Sequence, residues 1–115
     1  MTEGKKFDSG KPRMELISNI AMRELGQVAA FGAVKYGDYN WAHGIKWTKI
    51  LASILRHTFA FLWGEDKDSE SGLSHMAHAM FDCMQVLHYE TTHKELDDRF
   101  KVVLCPTSQE KNETI

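Results

Sequence analysis

The sequence predicts an all-α protein: a small bundle of three to four main helices, completed by oligomerisation. Three observations predict it. Residues from Asn19 to Tyr36 place Leu25, Val28, Ala29, Gly32 and Tyr36 at spacings of three and four, which is one face of a helix. The stretch from Thr48 to Trp63 is apolar nearly all round, as in a deeply buried helix or one that meets a partner subunit. From Leu73 to Glu95 no proline or glycine interrupts the chain.

The elements follow in order. Residues 1–17 contain Gly4, Gly10 and Pro12 among charges and read as an irregular arm. Helix 1 spans Asn19–Tyr36, with Ser18 or Asn19 as cap and Gly37 as stop, since glycine takes the left-handed conformation that closes a helix. The glycine-punctuated "GDYNWAHGIKW" that follows, with two tryptophans and an asparagine, reads as a functional loop. Thr48 is expected to cap helix 2, whose core stripe is Leu51, Ile54, Leu55, Thr58, Phe61 and Leu62. Helix 3 is expected over Leu73–Glu95. The β-branched run near Val102 reads as extended or weakly helical, with a loose tail from about residue 106. A chain of 115 residues makes one domain, 1–115, with the bundle over about 19–95.

Composition narrows the function classes. A formal charge of −2 lacks the basic footprint that a nucleic-acid polymer demands. Positive charge does gather at Lys5, Lys6, Lys11 and Arg13, where it can meet a small anion or simply be solvated. Cys83 and Cys105 are far apart and form no CxxC pair, so neither a zinc site nor a disulfide framework is indicated. No apolar run has the roughly 18 residues of a membrane span, and the N-terminus lacks the apolar segment of a signal peptide. A cytoplasmic protein with no membrane partner is expected.

The chemistry concentrates in "GEDKDSESGLSHMAHAMFD", residues 64–82. At about 100° per residue, His75, His78, Asp82, Gln85 and Tyr89 share one stripe of helix 3, opposite an apolar stripe of Leu73, Met76, Ala77, Met80, Met84 and Leu87. On periodicity alone the polar stripe faces water. Against this, His75, His78 and Asp82 stand at the three- and four-residue spacings that let side chains share a cation. Glu65, Asp66, Asp68 and Glu70 also crowd carboxylates whose repulsion a divalent cation would relieve. Oxygen ligands suit Mg²⁺ or Mn²⁺, and Mg²⁺ commonly bridges carboxylates to substrate phosphates. Phosphate chemistry is the natural hypothesis, with the histidines as acid, base or hydrogen-bond donors. Arg56 and His57 interrupt apolar helix 2, so Arg56 is expected either to pair with Glu24 or an acidic-loop carboxylate, or to clamp phosphate oxygens. Lys35 and Glu24, three turns apart on helix 1, project from nearly one face.

"KFDSGKPRMELI", "FGAVKYGDYNW" and "ILRHTFAFLWGEDKDSESGLSHMAHA", in this order and spacing, closely resemble the phage-associated family of the dATP/dGTP diphosphohydrolase N-terminal domain over about residues 5–90. That family looks like a branch of the MazG-type nucleotide pyrophosphohydrolases, all-α oligomers that use Mg²⁺ or Mn²⁺ to cleave nucleoside triphosphates to monophosphate and pyrophosphate. The sequence departs from that type: it has neither the ExxE nor the later ExxD motif at the expected helices, so no ligand set is carried over. The resemblance implies a purine (deoxy)nucleotide substrate, a homo-oligomer and, for a phage-encoded chain, the host cytoplasm. In that scheme Glu65, Asp66, His75 and His78 are catalytic, and Glu65, Asp66, His75 and Asp82 hold the metal. Lys6, Lys11, Arg13, Lys35, Arg56 and His57 bind the phosphates, and Asn40 and Trp41 bind the base. Two rivals stay open: a nucleotide-binding protein without turnover, and a structural helical subunit.

Overall fold

The computed structural model describes residues 2–102. The tail expected from about residue 106, and Cys105 with it, lie outside the described residues. Three helices form, α1 (Asn19–Tyr36), α2 (Trp47–Leu62) and α3 (His75–Thr92), with short 3-10 turns at Met14–Leu16, Asn40–His43 and Lys94–Leu96. No strand occurs among the described residues. The chain is all-α, as expected.

α1 has the expected bounds. The Ser18 hydroxyl accepts from the Ala21 amide (3.1 Å), and the Gly37 amide closes the last turn on the Ala33 carbonyl (2.8 Å). α2 starts differently. Lys46 precedes its first turn and supplies no side-chain cap. Asp98, fifty residues away, instead accepts from the Thr48 amide (2.9 Å) and the Thr48 hydroxyl (2.6 Å). A carboxylate near the N-terminus of a helix satisfies an orphan donor and is favoured by the helix dipole. The segment after α3 therefore caps α2, and Thr48 is a partner in the cap rather than the cap itself. α3 begins at His75, not Leu73, because the Ser74 hydroxyl takes the Met76 amide (3.1 Å), and it ends at Thr92.

α2 and α3 pack antiparallel: the Trp47 indole donates to the His93 carbonyl (3.1 Å) at one end, and His57 meets His75 at the other. Trp47, Ile50 and Tyr89 form the buried core between them, flanked by Ile45, Ile54, Val86 and Leu96. Gly44 is fixed by this packing. Its φ is +98°, and a Cβ there would stand 2.6 Å from the His93 ring and 2.7 Å from Leu96. α1 lies against α3, where the Phe31 and His78 rings meet edge to face at 6.1 Å.

The polar stripe of α3 faces inward instead of water, while of the apolar stripe only Ala77 is buried. His75, Asp82, Gln85 and Tyr89 are buried, whereas Met76 and Leu87 are exposed. A helix on one core turns its apolar stripe inward, but α3 is covered by α1 and α2 on its polar side, where His75 meets His57 (2.8 Å) and Gln85 donates to Asp82 (3.2 Å). The stripe expected of α2 is likewise exposed in part: Leu55, Phe61 and Leu62 reach solvent, as do Phe59 and Trp63 outside it, whose rings stack at 5.5 Å.

Tyr89 is fully buried, and its hydroxyl donates to the Trp41 carbonyl, tying the 37–44 loop to the core. Tyr89→Phe removes this bond and leaves the Trp41 carbonyl with the Gly44 amide alone (3.1 Å), and is expected to cost about 1 kcal/mol. Urea unfolding should show a lower midpoint with an unchanged slope.

Candidate functional site

The acidic segment folds into a closed loop that brings the end of α2 back to the start of α3. The His75 amide donates to the Asp66 carbonyl (3.0 Å), and the Asp68 amide to the Leu73 carbonyl (2.8 Å). Inside the loop, Asp68 Oδ2 accepts the amides of Glu70 (3.1 Å) and Ser71 (2.9 Å). Asp68 is thereby held inward while Glu65, Asp66 and Glu70 remain exposed.

The loop closes against a histidine cluster. His57 of α2 and His75 of α3 approach through their Nδ1 atoms (2.8 Å), and the His57 ring stacks on His78 at 4.7 Å with an interplanar angle of 8°. His75 Nε2 lies 3.1 Å from Glu65 Oε2, and His78 Nε2 lies 2.7 Å from the Ser71 hydroxyl. A proton on His75 Nε2, donated to Glu65, leaves the Nδ1 lone pair directed inward, the usual way a carboxylate orients a metal-binding imidazole. Burial, with the neighbouring imidazoles, lowers the pKa of His57; burial also lowers that of His78, against the pull of Asp68. Both therefore favour the neutral form, whose lone pairs can bind a cation or take a proton. Burial opposes ionisation of Asp68, yet the Ser71 contacts and His78 hold its carboxyl below the ordinary range.

One donor atom each from His57, Asp68 and His75 lies within 4.8 Å of the others. Two imidazoles and one carboxylate fit a divalent cation of intermediate softness. Of the metal ligands expected from the sequence, this group contains only His75. Glu65 touches His75 from outside, the exposed side chain of Asp66 joins nothing here, and Asp82 stands farther along α3. Asp68 and the hydroxyl of Ser71 were not singled out by sequence reasoning. Asp68 was visible as one of four crowded carboxylates, but only the turn it closes distinguishes it from its neighbours.

The cluster opens into a cleft of about 810 Å³ between α1, the 37–41 loop and the α2–α3 pair. That volume lies in the range of small-molecule sites, roughly 300–1,000 Å³. His57, Asp68 and His78 reach its wall at one end, and Asn40 and Trp41 line it with Phe31, Asp82 and Gln85. The Trp41 ring is set edge-on to His88 at 5.0 Å. Arg56 lines the cleft too, but it is exposed, and neither Glu24 nor a loop carboxylate pairs with it among the described residues. Its charge is solvated instead of buried, which removes the need for a protein partner. Lys35, on the rim, donates to Glu70 (2.7 Å). Lys6, Lys11 and Arg13 are exposed on the arm and do not line the cleft, and Arg13 pairs with its neighbour Glu15.

The family described as dATP/dGTP diphosphohydrolase, N-terminal, matches residues 1–99. A dATP/dGTP diphosphohydrolase of Salmonella phage PMBT28 is 33% identical over 112 residues, covering 97% of this chain and 38% of that protein. The chain thus spans about two fifths of the length of the curated relative it matches. No solved structure shows a significant match. No helix among the described residues is long and apolar enough to cross a membrane.

Asp82 gives a pH prediction. Burial raises its pKa, against the Ser53 hydroxyl and the Arg56 charge, so the folded chain holds that proton more tightly than the unfolded chain. The stability from this group is complete below the unfolded aspartate pKa and is lost as pH rises through the folded one. Asp82→Asn, which keeps the neutral shape, is expected to raise Tm at pH 7 and to leave it unchanged near pH 3, as read by thermal melts at both pH values.

Proposed function

We propose that this chain, which belongs to the dATP/dGTP diphosphohydrolase N-terminal family, hydrolyses purine deoxynucleoside triphosphates to monophosphate and pyrophosphate with a divalent cation. The observation that carries the reading is the group of His57, Asp68 and His75 donors, of which His57 and Asp68 line a nucleotide-sized cleft. The name of the phage relative supports the substrate class.

His57, Asp68 and His75 would hold the cation, with Glu65 fixing the His75 tautomer. When bound, the cation supplies charge neutralisation at the phosphate oxygens and makes water more acidic. The imidazole nitrogens favour Mn²⁺ over Mg²⁺, which prefers oxygen donors. His78, kept neutral by burial, is placed to take a proton from the attacking water, and Ser71 orients its ring. Arg56, with no ion pair among the described residues, would meet phosphate charge in two parallel hydrogen bonds. Lys35 can join it by exchanging Glu70 for phosphate, an exchange made inexpensive by the exposure of both groups.

Self-association belongs to the same reading. Leu55, Phe59, Leu62 and Trp63 leave an apolar face on α2, and a second copy of the chain would cover it.

Incubation with dGTP or dATP and Mn²⁺ is expected to release pyrophosphate faster than with Mg²⁺. Asp68→Ala should reduce kcat/KM at least about 100-fold, the scale of lost metal-site chemistry, and more than Asp66→Ala does. Tight nucleotide binding without pyrophosphate would establish the binding-protein alternative instead. In sedimentation, Phe59→Glu with Leu62→Glu is expected to shift the wild-type oligomer to monomer, and a monomeric wild type would refute the association.

A further inference from the structure

Asp82, like its neighbour Gln85, is a polar side chain of the cleft that the reaction above leaves unused and that the fold has nevertheless buried. It is 9% exposed, lines the cleft, and has an Oδ2 atom with no hydrogen-bond partner among the described residues. Its Oδ1 accepts from Gln85 Nε2 (3.2 Å), and Gln85, 5% exposed, lines the cleft as well. A buried carboxyl oxygen without a partner costs stability. Such a cost at a cleft wall is a mark of a ligand group that supplies the missing contact.

Its position along α3 says which part of the ligand this is. His75, in the donor group, lies seven residues before Asp82, and Tyr89, which holds the Trp41 carbonyl, lies seven after it. At a rise of about 1.5 Å per residue each interval is about 10 Å. A nucleotide with its phosphates at the histidine end therefore carries its ribose past His78 and its base to Asp82 and Gln85. Phe31 and Phe81 add apolar lining, and Trp41 bounds the far side.

We propose that Asp82, with Gln85 beside it, reads the Watson–Crick edge of the purine. The proposal rests on the nucleotide reading above and adds the base contact. Guanine presents two adjacent donors, N1–H and the N2 amino group, which match the two oxygens of an ionised carboxylate. Adenine presents a donor, the N6 amino group, beside an acceptor, N1; a carboxylic acid or a primary amide matches that pattern. Rotation about the soft terminal torsion of Asp82 turns Oδ2 toward the cleft, and Gln85 keeps the oxygen it leaves.

The amide substitution therefore separates the bases. Asp82→Asn replaces an acceptor pair with a donor and an acceptor, so it is expected to weaken dGTP about tenfold or more while dATP is retained or strengthened, the scale of one hydrogen bond to a charged group. A second measurement needs no variant. The wild-type chain should bind deoxyinosine triphosphate, which lacks the N2 amino group, about tenfold more weakly than dGTP, and 7-deaza-dGTP, altered on the opposite edge, as well as dGTP. Calorimetry with all four triphosphates in Ca²⁺, chosen to slow turnover, reads both. Equal affinity for dGTP and deoxyinosine triphosphate, or a parallel loss of dGTP and dATP in Asp82→Asn, overturns the base contact and leaves the nucleotide reading standing. Failure of every triphosphate to bind overturns both.

Discussion

The structure depends on the burial of a polar helix face. α3 turns His75, His78, Asp82 and Gln85 toward α1 and α2, and a buried polar group is tolerable only when something answers it. Much of the arrangement follows from supplying those answers. His57 interrupts apolar α2 where it can meet His75. Glu65 takes the outer nitrogen of that ring. The acidic segment bends back at Asp68 so that Ser71 reaches His78. The apolar core of Trp47, Ile50 and Tyr89 sits toward the other end of the same helix pair. One end of the pair is thus held by packing, and the other by a network whose members are also the groups able to bind a cation.

This division fits general expectation for a working site. The hydrogen-bonded end carries unmet demands: Arg56 has no ion pair among the described residues, and Asp82 keeps an unpartnered oxygen. Local features that make little sense for stability alone concentrate at functional positions. The cleft brings these demands together.

Much of the fold was legible from the chain. The bounds of α1 follow from Ser18, the three-and-four spacing and Gly37, all local signals. The start of α2 was not legible as it stands, because its cap comes from Asp98, and no window around Thr48 contains that information. The orientation of α3 was misleading for a related reason. Periodicity locates two faces but assigns the inner one by assuming that apolar means buried; here Met76 and Leu87 face outward while charged and amide groups turn inward. The cluster was half legible: the spacing of His75, His78 and Asp82 pointed to the right face. Which carboxylate joins it depended on a backbone turn that composition cannot distinguish among Glu65, Asp66, Asp68 and Glu70.

The bond from Tyr89 to the Trp41 carbonyl has one further consequence. Loops beside ligand sites often open in small excursions that leave the rest of the fold intact. This one is fastened to the most deeply buried side chain among the described residues, and Gly44, a few residues on, is wedged against His93 and Leu96. Release of the tryptophan therefore requires loosening of the helix pair itself. Amide exchange across residues 39–44 should accordingly follow that of the middle of α3, so that this part of the cleft wall and the core melt as one cooperative unit.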